Sequence, residues 1–99
     1  MRHFYRSSLV PADVVAAADE FFSALGLTAA NGASGARTRA LTGPLGNMTL
    51  AVRSEGGHYT FVDVDTDQIG ESRLDKNVKN FFVALHRKAD PSHKLKAGY

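Results

Sequence analysis

The chain has 99 residues, 43% hydrophobic and 22% charged, with 12 Lys and Arg against 10 Asp and Glu. That length suits one domain with a single core and leaves little volume for a large ligand cavity. The complete absence of cysteine excludes a disulfide scaffold, a thiolate metal site and a cysteine nucleophile.

His3 to Leu9 reads as a first strand, with Phe4 and Tyr5 supplying β propensity. Pro11 suits the first position of a helix, and Asp13 sits in the first turn, where the helix dipole favours a carboxylate. Val14, Ala18, Phe21, Phe22 and Leu25 then form one apolar stripe at helical spacing. Gly26 ends the helix in the usual place of a left-handed C-cap. Thr28 to Gly35 is small, polar and glycine-bearing, which predicts a loop with room for a short edge strand.

Ala36 to Thr42 is the next predicted strand, and Gly43-Pro44-Leu45-Gly46 the turn that follows it. Asn47 to Ser54 and His58 to Asp65 read as a hairpin around Glu55-Gly56-Gly57. A two-residue loop would set Met48, Leu50 and Val52 opposite Tyr59, Phe61 and Asp63. A three-residue loop sets them opposite Thr60, Val62 and Val64, which gathers one apolar face and keeps aspartate out of the core. The second is preferred, since glycine suits the bulge such a loop needs. Ser72 with Asp75 resembles a capping box, and Leu74, Val78, Phe81, Phe82 and Leu85 make a second helical stripe that Asp90-Pro91 stops. Phe22 and Phe82 are the aromatics expected in the core. The matching FFSAL (Phe21–Leu25) and FFVAL (Phe81–Leu85) fit two helices converging on one packing pattern better than a duplicated unit.

The predicted fold is α+β, an antiparallel sheet of about four strands in βαβββα order with both helices on one face. Residues 1–90 form the domain, and 91–99 are expected to be a basic, flexible tail. Neither the opening Met1–Ser7 nor any later run has the apolar length of a secretory signal or a membrane span, so the expected location is cytoplasmic. Arg73, Lys76, Lys79, Arg87, Lys88, Lys94 and Lys96 concentrate the positive charge at the C-terminal end. Cations in a last helical turn complement the dipole, and that structural reading is preferred to an anionic partner.

Chemistry-bearing motifs are weak. Asp63-Val64-Asp65-Thr66-Asp67 resembles the start of a calcium loop, but Gln68 stands where the turn glycine should be and Leu74 where the bidentate glutamate should be. His3, His58, His86 and His93 lack metal-ligand spacing and read as ordinary surface or interface residues. Ser34 lies outside a nucleophile-elbow pattern, and neither glycine-bearing loop has the lysine of a phosphate-binding loop. No enzyme class, metal or cofactor is indicated.

The hairpin register leaves an uncovered sheet face bearing Thr49, Ala51, Arg53, Tyr59, Phe61 and Asp63, with Arg37 and Arg39 placed beside them. An aromatic and arginine-bearing face of this kind suits contact with another surface. Three functions follow. The first is a non-enzymatic module that forms a homodimer or binds a protein partner there, centred on Tyr59, Phe61 and Arg53. The second is a nucleic-acid module, aromatics stacking on bases and arginines meeting phosphates. The third is a binder of small apolar ligands between the C-terminal helix and the sheet, lined by Phe81, Phe82 or Leu85. A membrane partner is not expected.

In its element order, and in the Ser8–Asp13 run SLVPAD, the chain resembles helix-grip proteins. These include the START-like (Bet v 1-like) ligand binders and each half of the TATA-binding protein. The resemblance implies a sheet gripping a long C-terminal helix, and carries over no functional residue.

Overall fold

The computed structural model describes residues 1–30, 35–70 and 72–89. Its elements are β1 (Arg2–Ser7), α1 (Pro11–Ala24), β2 (Thr28–Ala29), β3 (Thr38–Gly43), β4 (Gly46–Glu55), β5 (Tyr59–Thr66) and α2 (Arg73–Ala89). Each forms for a local reason. Pro11 opens α1 with its φ already helical, and Gly26 closes it at φ +86°, a conformation that costs glycine little. At the start of α2 the Asp75 N–H donates to Ser72 Oγ at 3.0 Å, the cap expected from the sequence. The strands form a 5-stranded antiparallel sheet in the order β1-β5-β4-β3-β2, one more than expected because Thr28–Ala29 adds a short edge. The predicted tail 91–99 lies outside the described residues, as does Ser34.

The β4–β5 hairpin turns on three residues, Gly56, Gly57 and His58, with Glu55 paired to Tyr59. Val52 therefore faces Val62, Leu50 faces Val64 and Met48 faces Thr66. The partners slide by two residues from the predicted ones, but two is the side-chain period of a strand, so the apolar face is the one predicted. Gly56 and Gly57 have φ of +64° and +75°, and that left-handed pair lets the tip turn one residue later than expected.

On the covered side, Met48, Leu50 and Val52 of β4 and Val62 and Val64 of β5 meet Val14, Ala18 and Phe22 of α1 and Leu74, Val78, Phe81 and Leu85 of α2. Phe22 and Phe81 are both fully buried, with ring centroids 5.1 Å apart. Phe82, expected in the core, is only partly buried and stacks on Tyr5 at 5.2 Å. The stripe is wide enough that its centre falls on Phe81 and its edge on Phe82. Where β3 ends, Gly43 passes directly against the turn leaving α1, so that a Cβ there would lie 2.7 Å from the Gly26 carbonyl oxygen. No helix of the described residues is long and apolar enough to cross a membrane.

These burials grade the two neighbouring aromatics. Phe81→Ala should cost about 3–5 kcal/mol, as for a fully enclosed ring, and Phe82→Ala roughly half of that. Chemical denaturation of the two variants checks the order, and equal losses would mean that Phe82 is enclosed as deeply as Phe81.

Candidate functional site

With both helices on one side, the other side of the sheet is open, and cross-strand pairing arranges its side chains in rows. The first row is Arg6 of β1, Phe61 of β5 and Arg53 of β4. The Arg53 guanidinium lies 4.3 Å from the Phe61 ring centroid and that of Arg6 5.3 Å from it. Glu55 holds both cations, accepting from Arg6 Nε at 2.6 Å and lying 3.7 Å from Arg53. Phe4 closes the remaining side of the ring at 5.5 Å and is itself approached by Arg2 at 5.0 Å.

Phe61 is accordingly only 8% exposed although no helix covers it. The aromatics that do meet solvent are Phe4 at 53% and Tyr59 at 54% exposed. Two guanidiniums against one ring form a pre-set cation–π assembly, worth about 0.5–1 kcal/mol per contact when wet and more when water is excluded.

The second half of the face is acidic. Asp63, Asp65 and Asp67 follow one another along β5 and the turn after it, all on the open side. Arg2 donates to Asp63 Oδ2 at 2.8 Å, while Asp63 Oδ1 is buried with no partner among the described residues. The Met1 amine lies 3.7 Å from Asp65. Asn47 gives Asp67 its backbone N–H at 3.0 Å and its amide at 2.9 Å. The Asn47 N–H and then Gln68 hold the Asp67 carboxyl below the usual carboxylate range. A shallow depression of about 430 Å³ runs beside this row, between Arg2, Asp63 and Asp65 on one side and Thr38 and Thr49 on the other.

Of the five residues expected on this face, the structure brings together Arg53, Tyr59 and Phe61 and removes the other two. Arg39 pairs with Leu50, so its side chain turns to the helix side, where Nε donates to Asp19 Oδ1 of α1 at 2.9 Å. Arg37 lies exposed in the turn before β3 rather than within a strand. Phe4, Arg6 and Glu55 take part in the site beyond the residues expected from the sequence. The alternation Arg2, Phe4, Arg6 was the available signal, but it acquires meaning only once β1 is known to lie beside β5.

On the helix side, Phe81 and Leu85, expected to line a ligand pocket between α2 and the sheet, are fully buried. An apolar groove of about 390 Å³ runs instead between the two helices, over Phe21, Leu25 and Phe81, with Glu20 and Lys88 at its rim.

A buried polar cluster joins the ends of the fold. Asp75, 1% exposed, shares a 2.7 Å hydrogen bond with His3 Nε2 and accepts from Thr66 Oγ1 at 2.8 Å and Ser72 Oγ at 2.7 Å. His3 is thus a core residue, not the surface or interface histidine expected, because its strand position faces α2. Ser72 donates to the carboxylate and not to the imidazole, so the trio lacks the hydroxyl–imidazole contact of an activated nucleophile. Burial pushes the Asp75 pKa up, but the bonds from His3, Ser72 and Thr66 outweigh it and hold the carboxyl below its ordinary value.

No protein family, curated protein or solved structure matches this chain.

The Asp75 network carries a pH signature. A carboxyl depressed in the folded state adds stability that is present above its unfolded pKa, about 3.9, and is lost as pH falls through the lower folded value. Asp75→Asn should therefore cost about 1–3 kcal/mol at neutral pH and flatten the loss of stability below about pH 4. Denaturation midpoints measured from pH 7 down to pH 2 check both parts. An unchanged acid limb would mean that Asp75 titrates alike in both states.

Proposed function

We propose that this domain is a non-enzymatic binding module that docks a protein surface, a second copy or another polypeptide, on its open sheet face. The observation that carries this reading is the Arg6–Phe61–Arg53 row, with exposed Tyr59 beyond it and exposed Phe4 next to it. Rigid aromatics and arginines held in place before contact lose little conformational freedom on binding, and such residues dominate interface energetics. Their positions come from three strands, so the face is preorganised by the sheet and not by loops.

The nucleic-acid alternative is weaker on this geometry. The Phe61 ring is already flanked by two guanidiniums and by Phe4, and Asp63, Asp65 and Asp67 share the face and repel phosphates. The helix-grip resemblance is retained as a fold-level proposal. Its support is the order of one helix after the first strand, a meander, and a long last helix.

A photo-crosslinking residue at Tyr59 tests the reading in cells producing the protein. It should capture a polypeptide in a yield well above the same probe at Ser23, which is exposed on α1 on the helix side of the sheet. Arg53→Ala should lower the Tyr59 yield without changing thermal stability by more than a few degrees. Equal yields at the two positions would remove the open face as a docking surface, and capture of nucleic acid would favour the alternative.

A further inference from the structure

The outer strand of the sheet supplies a second surface, distinct from the open face. Met1 and Thr66 exchange both backbone hydrogen bonds, Met1 N to Thr66 O at 2.7 Å and Thr66 N to Met1 O at 2.9 Å. In an antiparallel ladder such pairs alternate, so His3, Tyr5 and Ser7 turn their N–H and C=O groups inward to β5. Arg2, Phe4 and Arg6 turn theirs outward. No hydrogen bond among the described residues reaches those six outward groups.

Edge strands are normally blunted by brevity, proline, a bulge or a covering segment. The opposite edge, β2, is blunted in this way, being 2 residues long. β1 has 6 residues, no proline and an unbroken register along β5. Its charged residues do not guard it either, because Arg2 is held by Asp63 at 2.8 Å and Arg6 by Glu55 at 2.6 Å.

Apolar side chains flank this edge above and below. Phe4 projects from the open face at 53% exposed. On the helix side, Phe81 points to Phe21 and Phe22 of α1, and Phe82, one residue on, packs on His3 and Tyr5 of β1. Advancing 100° again brings Val83, 48% exposed, round to the outer flank of the edge.

We infer that β1 pairs with β1 of a second copy, antiparallel and about a two-fold axis at Phe4, to join two sheets into one. A second copy is the occupant that the strand itself specifies. Centred on Phe4, the pairing is self-complementary, since all six outward groups find partners and the two Phe4 side chains meet on one face. Arg2 then lies opposite the partner's Arg6, each paired within its own chain, Arg2 with Asp63 and Arg6 with Glu55. The open faces stay free and become continuous across the joint.

Proline at an outward-facing position removes a donor the fold itself does not use, which makes the joint testable. Wild type should run as a dimer by light scattering, and Phe4→Val, which keeps the N–H, should remain one. Phe4→Pro should be a folded monomer, its dimerisation weakened about tenfold or more. Amide exchange in wild type gives an independent reading. The Phe4 and Arg6 N–H groups should be protected at high concentration and lose that protection on dilution, while Tyr5 stays protected throughout. A monomeric wild type, or rapid exchange of Phe4 and Arg6 at every concentration, overturns the inference. So does a dimer that Tyr59→Ser dissociates and Phe4→Pro does not; that result would place the dimer on the open face and leave the proposed function standing.

Discussion

Alternation along β4 and β5 is the constraint from which the other arrangements follow. Met48, Leu50 and Val52 must share a face with Val62 and Val64, and only an even offset between the strands allows it. Once they do, α1 and α2 have one surface to cover and the odd-numbered residues of both strands are left outside. The mixed character of the open face is the other half of the same pattern. Phe61 and Asp63 face outward because Val62 and Val64 face inward.

Much of this was legible in local sequence. The caps at Gly26 and Ser72, the two helical stripes and the parity of the hairpin depend on residues close together in the chain, and each appears as read, save that Phe82 lies at the edge of its stripe and not in the core. What was not legible depends on pairings between distant segments. His3 looks like any polar residue near a chain start until β1 is set beside β5 and under α2, where Asp75 becomes its partner across 72 positions of sequence. Phe61 was correctly placed on the open face, but its burial by Arg6 and Phe4 could not be foreseen without the β1–β5 register. Arg39 was misplaced because β3 begins at Thr38 and pairs Arg39 with Leu50, which sends the arginine to Asp19. An arginine at a core-facing position breaks the simple inside–outside rule, and the break is repaired by a partner on another element.

The polar cluster and the cation–π row solve related problems on opposite sides of one sheet. Asp75 is withdrawn from water and compensated by three donors, which ties β1, β5 and the start of α2 together. Phe61 is withdrawn from water by two cations that remain wet. The first arrangement ties elements of the fold together in the interior, whereas the second keeps charged groups at the surface.

The contact between Gly43 and the turn leaving α1 has a consequence for ancestry. With 2.7 Å to the Gly26 carbonyl oxygen, position 43 is closed to every side chain by backbone, which no neighbouring substitution can move aside. Gly56 and Gly57 differ, since a Cβ at either meets nothing within 4 Å and the demand is on φ alone, which asparagine can also meet. Descendants of this fold should therefore exchange glycine for asparagine at the hairpin tip while retaining glycine at position 43. That single small residue, between a β3 strand and a Pro-Leu-Gly turn, is a mark by which remote kin would be known after their surfaces had diverged.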